Sequence, residues 1–333
     1  MARTWKKVAV AGVTGAVGTE MLKVLERREF PVDEVVPLAS AGSVGKVVRF
    51  RGRDLVVQEL TAASFEGVDI ALFSAGGARS KEFAPAAVGA GAVVIDNSSA
   101  FRMDPGVPLV VPEINAGEIA RHRGVIANPN CAAIILTMAV APLRQVGRLV
   151  RLVVSTYQST SGAGARAMQE LIDQTRGYLG GEEPAPAVFQ WPIAFNLFSH
   201  NTRVYENGYN DEENKVINET RKILDDQALR VTATCIRVPT LRAHAESINV
   251  ELDREVDLEA VRAAVEGFPG VRLVDDRGGN HFPMPREAAD RDEVLVGRIR
   301  RDPSHDHAIE LFVAGDQLLK GAALNAVQIA ELL

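Results

Sequence analysis

Short apolar runs alternate with segments of helical periodicity along the first 130 residues of the chain. The apolar runs cover residues 7–11, 35–39, 68–73, 92–96 and 125–127. Between the first two runs, apolar side chains recur at helical spacing over residues 19–28, which predicts a helix. Repeated strand–helix units predict a parallel sheet, in which ligand sites lie beyond the carboxyl ends of the strands.

The pattern changes after residue 130. Residues 132–140 and a segment that opens at Glu212 predict helices. Strands are predicted at residues 149–158, 231–238 and 245–252, the last two antiparallel. Residues 180–210 are rich in Gly, Pro, Asn and aromatic side chains, which indicates irregular structure. An α/β domain followed by a domain of mixed α+β type is therefore predicted.

Charge and composition narrow the function classes. The net charge of −6 argues against a general nucleic-acid-binding protein, so an anionic substrate would need a local cationic pocket. No segment approaches the roughly 20 apolar residues of a membrane span. Two cysteines provide no disulfide framework, and the first residues lack the apolar stretch of a leader peptide, so a cytoplasmic protein is expected. The histidines have no metal-ligand spacing supported by cysteines, and no metal site is expected.

A glycine pattern between the first strand and the first helix predicts a dinucleotide site. Gly12, Gly15 and Gly18 follow the apolar run 7–11. Glycines at a strand–helix turn allow a tight bend and let a pyrophosphate approach the helix N-terminus. The spacing is G-x-x-G-x-x-G rather than the commoner G-x-G-x-x-G. The alternative is a glycine-rich turn that binds nothing.

The loop after the second strand favours NADP over NAD. NAD-specific sites carry an acidic residue there for the ribose hydroxyls, whereas this loop contains Ser40, Ser43 and Lys46. Hydroxyl groups and a lysine suit a 2′-phosphate, which a carboxylate would repel. The alternative is a flexible loop of small residues without a ligand.

Cys131 is a candidate nucleophile. It follows Asn128-Pro129-Asn130 and precedes the helical run 132–140. Unpaired backbone N–H groups and the positive end of the helix dipole favour the thiolate at such a position. The other cysteine, Cys235, lies inside an apolar strand and is expected to pack as a small hydrophobic residue.

Several multi-residue motifs occur together along the chain. They are Gly12-x-x-Gly15-x-x-Gly18, Asp96-Asn97-Ser98-Ser99-x-Phe101-Arg102, Val111-Pro112-Glu113-Ile114-Asn115, Asn128-Pro129-Asn130-Cys131, Gln158-x-x-Ser161-Gly162-Ala163-Gly164, Arg237-Val238-Pro239-x-x-Arg242-Ala243-His244-x-Glu246 and Lys320-Gly321-Ala322-Ala323-Leu324-Asn325. With these motifs the chain closely resembles the aspartate-β-semialdehyde dehydrogenase family of the bacterial type, nearly end to end. One departure is Gly42, where many relatives carry an arginine beside the adenosine phosphate.

The resemblance implies an architecture and a reaction. It implies a Rossmann-type NADP-binding domain over residues 1–130, joined by a C-terminal helix at 315–333. Residues 131–314 would form a catalytic and dimerisation domain of α+β type, like that of glyceraldehyde-3-phosphate dehydrogenase, in a homodimer. The implied reaction is the NADP-dependent reductive dephosphorylation of β-aspartyl phosphate to aspartate β-semialdehyde through a cysteine thioester. It belongs to lysine, threonine, methionine and diaminopimelate biosynthesis.

The resemblance also assigns roles to residues. Cys131 is the nucleophile, His244 the acid/base residue whose ordinary pKa near 6.5 suits both directions, and Gln158 orients the acyl group. Glu246 is expected to orient or tune His244. The substrate-binding residues are Arg237 for the α-carboxylate, Glu212 for the amine, and Arg102, Lys215, Asn97 and Ser99 for the phosphate. The cofactor-binding residues are Gly12, Thr14, Gly15, Ala16, Val17, Gly18, Ser40, Ser43, Gly76, Ser161, Gly162 and Asn325.

Other interpretations remain open from the sequence. N-acetyl-γ-glutamyl-phosphate reductase shares the fold and the thiol chemistry, but an acetylated amine needs no carboxylate partner such as Glu212. The catalytic motifs of glyceraldehyde-3-phosphate dehydrogenase differ from these. A non-catalytic relative that acts as a binding protein would be expected to lose Cys131 or His244, and both are present.

Overall fold

The computed structural model describes residues 6–333. Residues 1–5, on which the expectations about the first domain and about a leader peptide partly rest, lie outside the described residues. The described part of the chain forms two compact units. The first contains the chain up to Asn130 together with Ala322–Leu333, and the second contains Cys131–Gly321.

Residues 6–333 contain fifteen strands and nine α-helices. The strands are β1 (Lys6–Ala11), β2 (Val32–Ala39), β3 (Val47–Phe50), β4 (Arg53–Val56), β5 (Gln58–Glu59), β6 (Ile70–Phe73), β7 (Val93–Asp96), β8 (Val125–Ala127), β9 (Leu149–Gln158), β10 (Phe198–Ser199), β11 (Arg230–Arg237), β12 (His244–Leu252), β13 (Val271–Leu273), β14 (Val294–Arg301) and β15 (Ala308–Gly315). The α-helices are α1 (Ala16–Arg27), α2 (Gly77–Gly89), α3 (Pro112–Asn115), α4 (Cys131–Val140), α5 (Ala165–Leu179), α6 (Asp211–Ile223), α7 (Leu258–Glu266), α8 (Pro285–Ala288) and α9 (Leu324–Glu331).

The first unit is built on a six-stranded parallel sheet with the order β5-β2-β1-β6-β7-β8. All four residues of β6 are buried, as expected for a parallel sheet covered on both faces. Helix α9 packs against α1 and β7, so the end of the chain completes this unit. Strands β3 and β4 form a separate antiparallel hairpin, which the sequence did not predict.

The second unit is built on a seven-stranded mixed sheet with the order β10-β11-β9-β12-β15-β14-β13. Strand β9 lies between β11, to which it is parallel, and β12, to which it is antiparallel. The two strands predicted as antiparallel, β11 and β12, are therefore not neighbours. Helices α4 and α6 pack against each other and onto this sheet. The predicted fold class, a parallel-sheet domain followed by an α+β domain, is confirmed.

Residues 180–210 are irregular apart from the two-residue strand β10, as the sequence predicts. The buried Glu170 of α5 holds part of this segment, because its carboxylate accepts the backbone N–H groups of Ala187, Val188 and Phe189. In this part of the segment, a side-chain carboxylate satisfies the backbone N–H groups that a neighbouring strand would bind in a sheet.

The C-terminal helix begins later than residue 315. Strand β15 continues to Gly315, the helical segment starts at Leu319, and residues up to Gly321 belong to the second unit. The expected boundary at residues 314 and 315 was wrong because the chain first completes the antiparallel pairing of β15 with β12. Within residues 6–333, no helix has the length and apolar character needed to cross a membrane.

Candidate active site

Cys131 is the first residue of α4, as the sequence predicts. It is partly exposed, whereas the other residues of the helix are buried. A Cβ atom added at Gly321 would lie 2.9 Å from the Cβ of Cys131, so the start of α4 is packed closely against a glycine. The thiol therefore stands at the accessible end of a helix that is otherwise enclosed, where the dipole favours a negative charge.

Cys235 has the opposite environment. It is completely buried in β11, and burial raises the pKa of its thiol above the ordinary range. A thiol of this kind is inert, and the expectation that Cys235 packs as a small hydrophobic residue is confirmed.

His244, the first residue of β12, is completely buried. Its Nδ1 accepts the backbone N–H of Ser159 at 3.1 Å and lies 3.0 Å from the Ser159 hydroxyl. Its Nε2 has no hydrogen-bond partner among the described residues. Burial, with a contribution from the Arg237 charge, lowers the pKa of His244 to about 3. The expectation of an ordinary pKa near 6.5 was therefore wrong, because the sequence did not show how deeply this side chain is enclosed.

Glu246 does not orient His244. Within the described part of the chain neither of its carboxyl oxygens has a hydrogen-bond partner, although the residue is completely buried. Burial raises the pKa of Glu246 well above its usual value. The expected role beside His244 was wrong. Residues two apart on a strand lie on the same face of the sheet, but Glu246 and His244 form no hydrogen bond with each other.

Arg237 ends β11 directly opposite Gln158, the last residue of β9. One terminal nitrogen, Nη1, donates to the carbonyl of Ser159 at 2.6 Å, and Nη2 donates to Nε2 of His200 at 2.7 Å. The side chain is 3% exposed, and its Nε has no partner in residues 6–333. Burial lowers the pKa of Arg237, whereas Glu212 and Cys131 act in the opposite direction. A buried guanidinium with an unused donor is suited to an anionic ligand.

Gln158, Glu212 and Lys215 form one polar group beside Arg237. The amide nitrogen of Gln158 donates to Glu212 Oε1 at 3.0 Å. Lys215 lies one turn further along α6, with its Nζ 3.6 Å from Glu212 Oε2 and 2.5 Å from Asp211 Oδ2. The prediction that Glu212 and Lys215 share one helix face is confirmed.

His200 belongs to the site, although the sequence analysis gave it no role. It accepts the hydrogen bond from Arg237 in the neutral state, and burial lowers its pKa to about 4. Because it lies in the irregular segment 180–210, no periodicity marks it, and only the tertiary pairing of β10 with β11 brings it to Arg237.

Ser161 and Gly162 follow β9 in the second unit. The Ser161 hydroxyl lies 3.0 Å from that of Ser159 and accepts a hydrogen bond from the Gln317 amide. A Cβ atom at Gly162 would lie 3.3 Å from both His244 Nε2 and Arg237 Nη1. Any side chain at Gly162 would therefore crowd these two nitrogens.

The first unit contains the glycine loop predicted to bind a dinucleotide. Gly12 has φ +87°, and a Cβ atom there would collide with the carbonyl of Ser74. A Cβ atom at Gly18 would collide with the Gly12 carbonyl, so both positions require glycine. Gly15 is the residue before α1, Ala16 and Val17 open that helix, and Gly76 with φ +86° precedes α2. This is the strand–turn–helix geometry of a pyrophosphate site.

Residues on two loops of the first unit meet near this turn. The Thr14 hydroxyl lies 3.4 Å from that of Ser43, and Lys46 Nζ lies 3.3 Å from the same oxygen. Ser40 precedes the short turn Ala41–Ser43. The structure thus brings together one hydroxyl of the glycine loop with the hydroxyl and the cation of the loop after β2.

A second polar group of the first unit surrounds Arg102. Its Nε donates to the carbonyl of Asn128 at 2.9 Å, and its Nη2 donates to the carbonyl of Asn97 at 2.7 Å. The Asn128 side chain donates to Asn97 Oδ1 and accepts from the Asn325 amide. Ser99 is exposed and outside this network. Asn128 also belongs to this network, although the sequence analysis named it only as part of the Asn-Pro-Asn-Cys motif and gave it no role.

Two family models and several known proteins match this chain over most of its length. Residues 7–122 match the family described as semialdehyde dehydrogenase, NAD binding domain, and residues 140–320 match semialdehyde dehydrogenase, dimerisation domain. Aspartate-semialdehyde dehydrogenase of Synechocystis sp. is 51% identical over 98% of this chain and 97% of its own length. The corresponding Bacillus subtilis protein is 48% identical over 97% and 96%.

A solved structure shows the same similarity. The crystal structure of aspartate semialdehyde dehydrogenase II from Vibrio cholerae, complexed with ASA, matches with a TM-score of 0.95 and 45% identity, and covers 99% of this chain and 98% of its own. The identity and the coverage together place the whole chain, and not one domain alone, among these enzymes. This chain belongs to the aspartate-semialdehyde dehydrogenase family.

Proposed function

We propose that this enzyme converts β-aspartyl phosphate to aspartate β-semialdehyde with NADPH, through a thioester on Cys131, as a step of amino-acid biosynthesis. The observation that carries the proposal is the buried Arg237. Its Nε donor has no partner among residues 6–333, and it interacts electrostatically with both Glu212 and Cys131. A nucleophile, a carboxylate and an anion-binding guanidinium in one group fit a small substrate with an amine, a carboxylate and an acyl phosphate.

The second unit supplies the groups for the amino-acid part of the substrate. A substrate carboxylate bound to Arg237 would satisfy the unused Nε donor. Glu212 is held by Gln158 and offers its negative charge to the substrate amine. An N-acetylated amine has no charge for Glu212 to pair with. The site therefore favours the dehydrogenase over the N-acetyl-γ-glutamyl-phosphate reductase considered from the sequence.

Cys131 performs the covalent step. As the thiolate, its sulfur attacks the acyl carbon, the carbon–oxygen bond to phosphate breaks, and phosphate leaves while a thioester forms. After reduction of the acyl carbon, the carbon–sulfur bond breaks and the aldehyde is released. Gln158 is the polar side chain assigned to orient the acyl group. His244 is the acid/base residue assigned to the acyl oxygen. Covalent catalysis divides one difficult displacement into two easier ones.

Arg102 in the first unit is assigned to the phosphate. Two backbone carbonyls fix its guanidinium, and Asn97 is in the same network. Lys215 in the second unit is the other assigned cation, with Ser99 as a further polar contact. Fixed arginines bind phosphate oxygens in a defined geometry, which supports a role in positioning the leaving group.

The residues of the first unit fit a dinucleotide. Gly12 and Gly18 form a turn without side chains in front of α1, as a bound pyrophosphate requires. Thr14, Ser43 and Lys46 offer two hydroxyls and a cation, which supports a 2′-phosphate and hence NADP. Asn325 is the residue assigned to the nicotinamide end, together with Ser161 and Gly162. When bound, the cofactor supplies the hydride that reduces the acyl group.

The second unit also supports association into a homodimer. It matches a family described as a dimerisation domain, and it exposes large apolar side chains. These include Tyr178, Leu179, Trp191, Phe195 and Leu197. Exposed apolar side chains that contact each other, such as Tyr178 and Phe195 with ring centroids 4.8 Å apart, are typical of interfaces.

The proposal is tested by following NADPH formation from aspartate semialdehyde in the presence of phosphate. Activity that requires phosphate and exceeds the activity with NAD supports both the reaction and the cofactor. N-acetylglutamate semialdehyde is the matched control, and turnover of that compound alone would assign the chain to the rival reductase. Cys131→Ser should abolish turnover while NADP still binds, which separates loss of the nucleophile from loss of the fold.

A further inference from the structure

His200, in the irregular segment 180–210, supplies a hydrogen-bond acceptor for the guanidinium of Arg237. Its Nε2 lies 2.7 Å from Arg237 Nη2. A guanidinium is only a donor, so Nε2 must present its lone pair to it. The neutral ring of His200 therefore carries its hydrogen on Nδ1.

The hydrogen on Nδ1 connects the ring to the helix that carries Glu212. Nδ1 of His200 lies 3.4 Å from Thr202 Oγ1, and the ring donates to this oxygen. The same oxygen accepts the backbone N–H of Glu212 at 3.3 Å. A hydroxyl oxygen has two lone pairs, so it accepts both hydrogens. One hydrogen-bonded chain therefore runs from Arg237 through His200 and Thr202 to the first turn of α6.

The backbone of His200 is bound on two sides. Its N–H donates to the carbonyl of Cys235 at 2.8 Å, directly after the short pairing of β10 with β11. Its carbonyl accepts the backbone N–H of Thr202 at 2.8 Å and the side-chain amide of Asn210, the residue before α6, at 3.5 Å. The ring is thus carried by a backbone that is fixed both to β11 and to the turn before α6.

These contacts hold the guanidinium of Arg237 in one orientation. The carbonyl of Ser159 accepts from Nη1 and the ring of His200 accepts from Nη2, while the ring centroid of Phe189 lies 5.5 Å from the central carbon of the guanidinium. Two of the five N–H donors of an arginine are engaged in this way, and Nε has no partner in residues 6–333. Without the ring, Nη2 would lose its acceptor inside the protein, which is costly for a charged donor.

The ring of His200 accepts from Arg237 only while it is neutral. Burial is the main cause that lowers the pKa of His200 to about 4. The charged side chains that act on the ring come from β11 and α6 and are Arg237, Asp211, Glu212 and Lys215. The two cations act in the same direction as burial, and the two carboxylates oppose the shift without reversing it. His244 on β12 is itself neutral near pH 7, because burial lowers its pKa to about 3.

We propose that His200 is a positioning residue, which holds Arg237 in the orientation that binds the α-carboxylate of the substrate and, through Thr202, fixes the start of α6 beside Glu212. The proposal rests on the proposed function and extends it, because it gives the irregular segment 180–210 a part in recognising the amino-acid end of the substrate. The α-carboxylate takes no part in the bond changes of the reaction. Loss of the ring should therefore weaken substrate binding far more than it slows the chemical step.

The role in binding is measured with His200→Leu and His200→Gln in the assay of NADPH formation from aspartate semialdehyde and phosphate. Leucine has no acceptor, whereas glutamine presents a carbonyl oxygen at a similar distance from the backbone. In the leucine variant the KM for aspartate semialdehyde should rise by about 10-fold or more, the effect of one lost hydrogen bond to a charged group, while kcat and the KM for NADP change by less than about 3-fold. The glutamine variant should recover most of the loss.

The matched control is His307→Leu, because His307 is exposed and lies just before β15, outside the site. It should leave every kinetic constant unchanged, and thermal unfolding should show that all three variants are folded. An unchanged KM for aspartate semialdehyde in folded His200→Leu, a loss confined to kcat, or a glutamine variant as impaired as the leucine variant would overturn the proposal.

The hydrogen bond itself is measured by nitrogen-15 NMR of the histidine-labelled enzyme without substrate, in which the His200 signals are identified by their loss in His200→Gln. We expect a protonated Nδ1 and an unprotonated Nε2, both constant from about pH 8 to 5.5, where an ordinary histidine titrates. A hydrogen on Nε2, or titration near pH 6.5, would show that the ring does not accept from Arg237 and would also overturn the proposal. Failure of the proposed function is recognised separately, since the unmodified enzyme would then show no turnover of aspartate semialdehyde in spite of the expected tautomer.

Discussion

Replacing Gly321 with alanine should displace Cys131 while the protein remains folded. The new Cβ atom would lie 2.9 Å from the Cβ of Cys131 and 3.3 Å from its Cα. Carbon atoms in contact normally stand about 3.5–4.0 Å apart. The start of α4 must therefore move by roughly 0.6–1.1 Å, since the alanine methyl group is held rigidly on the backbone. Gly321 does not have a positive φ, so alanine fits its backbone conformation.

The expected effect on activity is larger than the effect on stability. Displacing a reacting atom by about 1 Å can cost about 10²-fold in rate, and we expect kcat to fall by roughly 10- to 100-fold. Overpacking costs about 1–3 kcal/mol, which the preference of helices for alanine over glycine offsets by about 0.5–1 kcal/mol. The free energy of unfolding should then fall by no more than about 2.5 kcal/mol.

The assay is NADPH formation from aspartate semialdehyde and phosphate, together with thermal unfolding and the rate of Cys131 alkylation. The matched control is Gly89→Ala, because Gly89 is also helical and a Cβ atom there meets nothing within 4 Å. The control should retain both kcat and stability. A Gly321→Ala enzyme with unchanged kcat and unchanged alkylation would refute the argument that this contact sets the position of the thiol.

Two further predictions concern the cofactor and the pH dependence of stability. Lys46→Glu should raise the KM for NADP by about 10-fold or more, because a carboxylate repels the 2′-phosphate, and should change the KM for NAD far less; Lys81→Glu, at an exposed site on α2, is the control, and equal effects on both cofactors would contradict the assignment. His200 has a folded pKa of about 4, below the unfolded value near 6.5, so it contributes stability above pH 6.5 that is lost as the pH falls toward 4. In urea unfolding, wild-type stability should fall between pH 6.5 and 4 more steeply than that of His200→Gln, by up to about 1.4 kcal/mol per pH unit, and parallel curves would exclude this effect.

The sequence predicts the elements that are determined by short-range patterns. The run 7–11 and the glycines after it are sufficient to place β1, the turn and α1, because a buried strand and a glycine turn have unmistakable local chemistry. The start of α1 at Ala16 lies before the predicted residue 19, since the helix already begins within the glycine pattern. The place of Cys131 at the start of α4 was also predicted, because the polar segment Asn128-Pro129-Asn130 gives way there to the apolar run 132–140.

Features determined by tertiary packing were not predicted. The hairpin of β3 and β4 is short and largely exposed, so it has no apolar alternation to mark it. The role of His200 depends on pairing between strands, and the shifted pKa of His244 depends on complete enclosure by distant segments. Neither the role of His200 nor the pKa of His244 can be predicted from the residues next to these histidines along the chain.

The register between β9 and β11 limits where residues can be inserted into this chain or deleted from it. The two strands run parallel and in step from Arg151 and Arg230 to Gln158 and Arg237. Inserting or deleting one residue in either strand would turn its final side chain to the other face of the sheet and remove it from the site. The irregular segment 180–210 between them has no such constraint over most of its length. Variation in length is therefore tolerated there, whereas the strands themselves admit substitutions but not insertions.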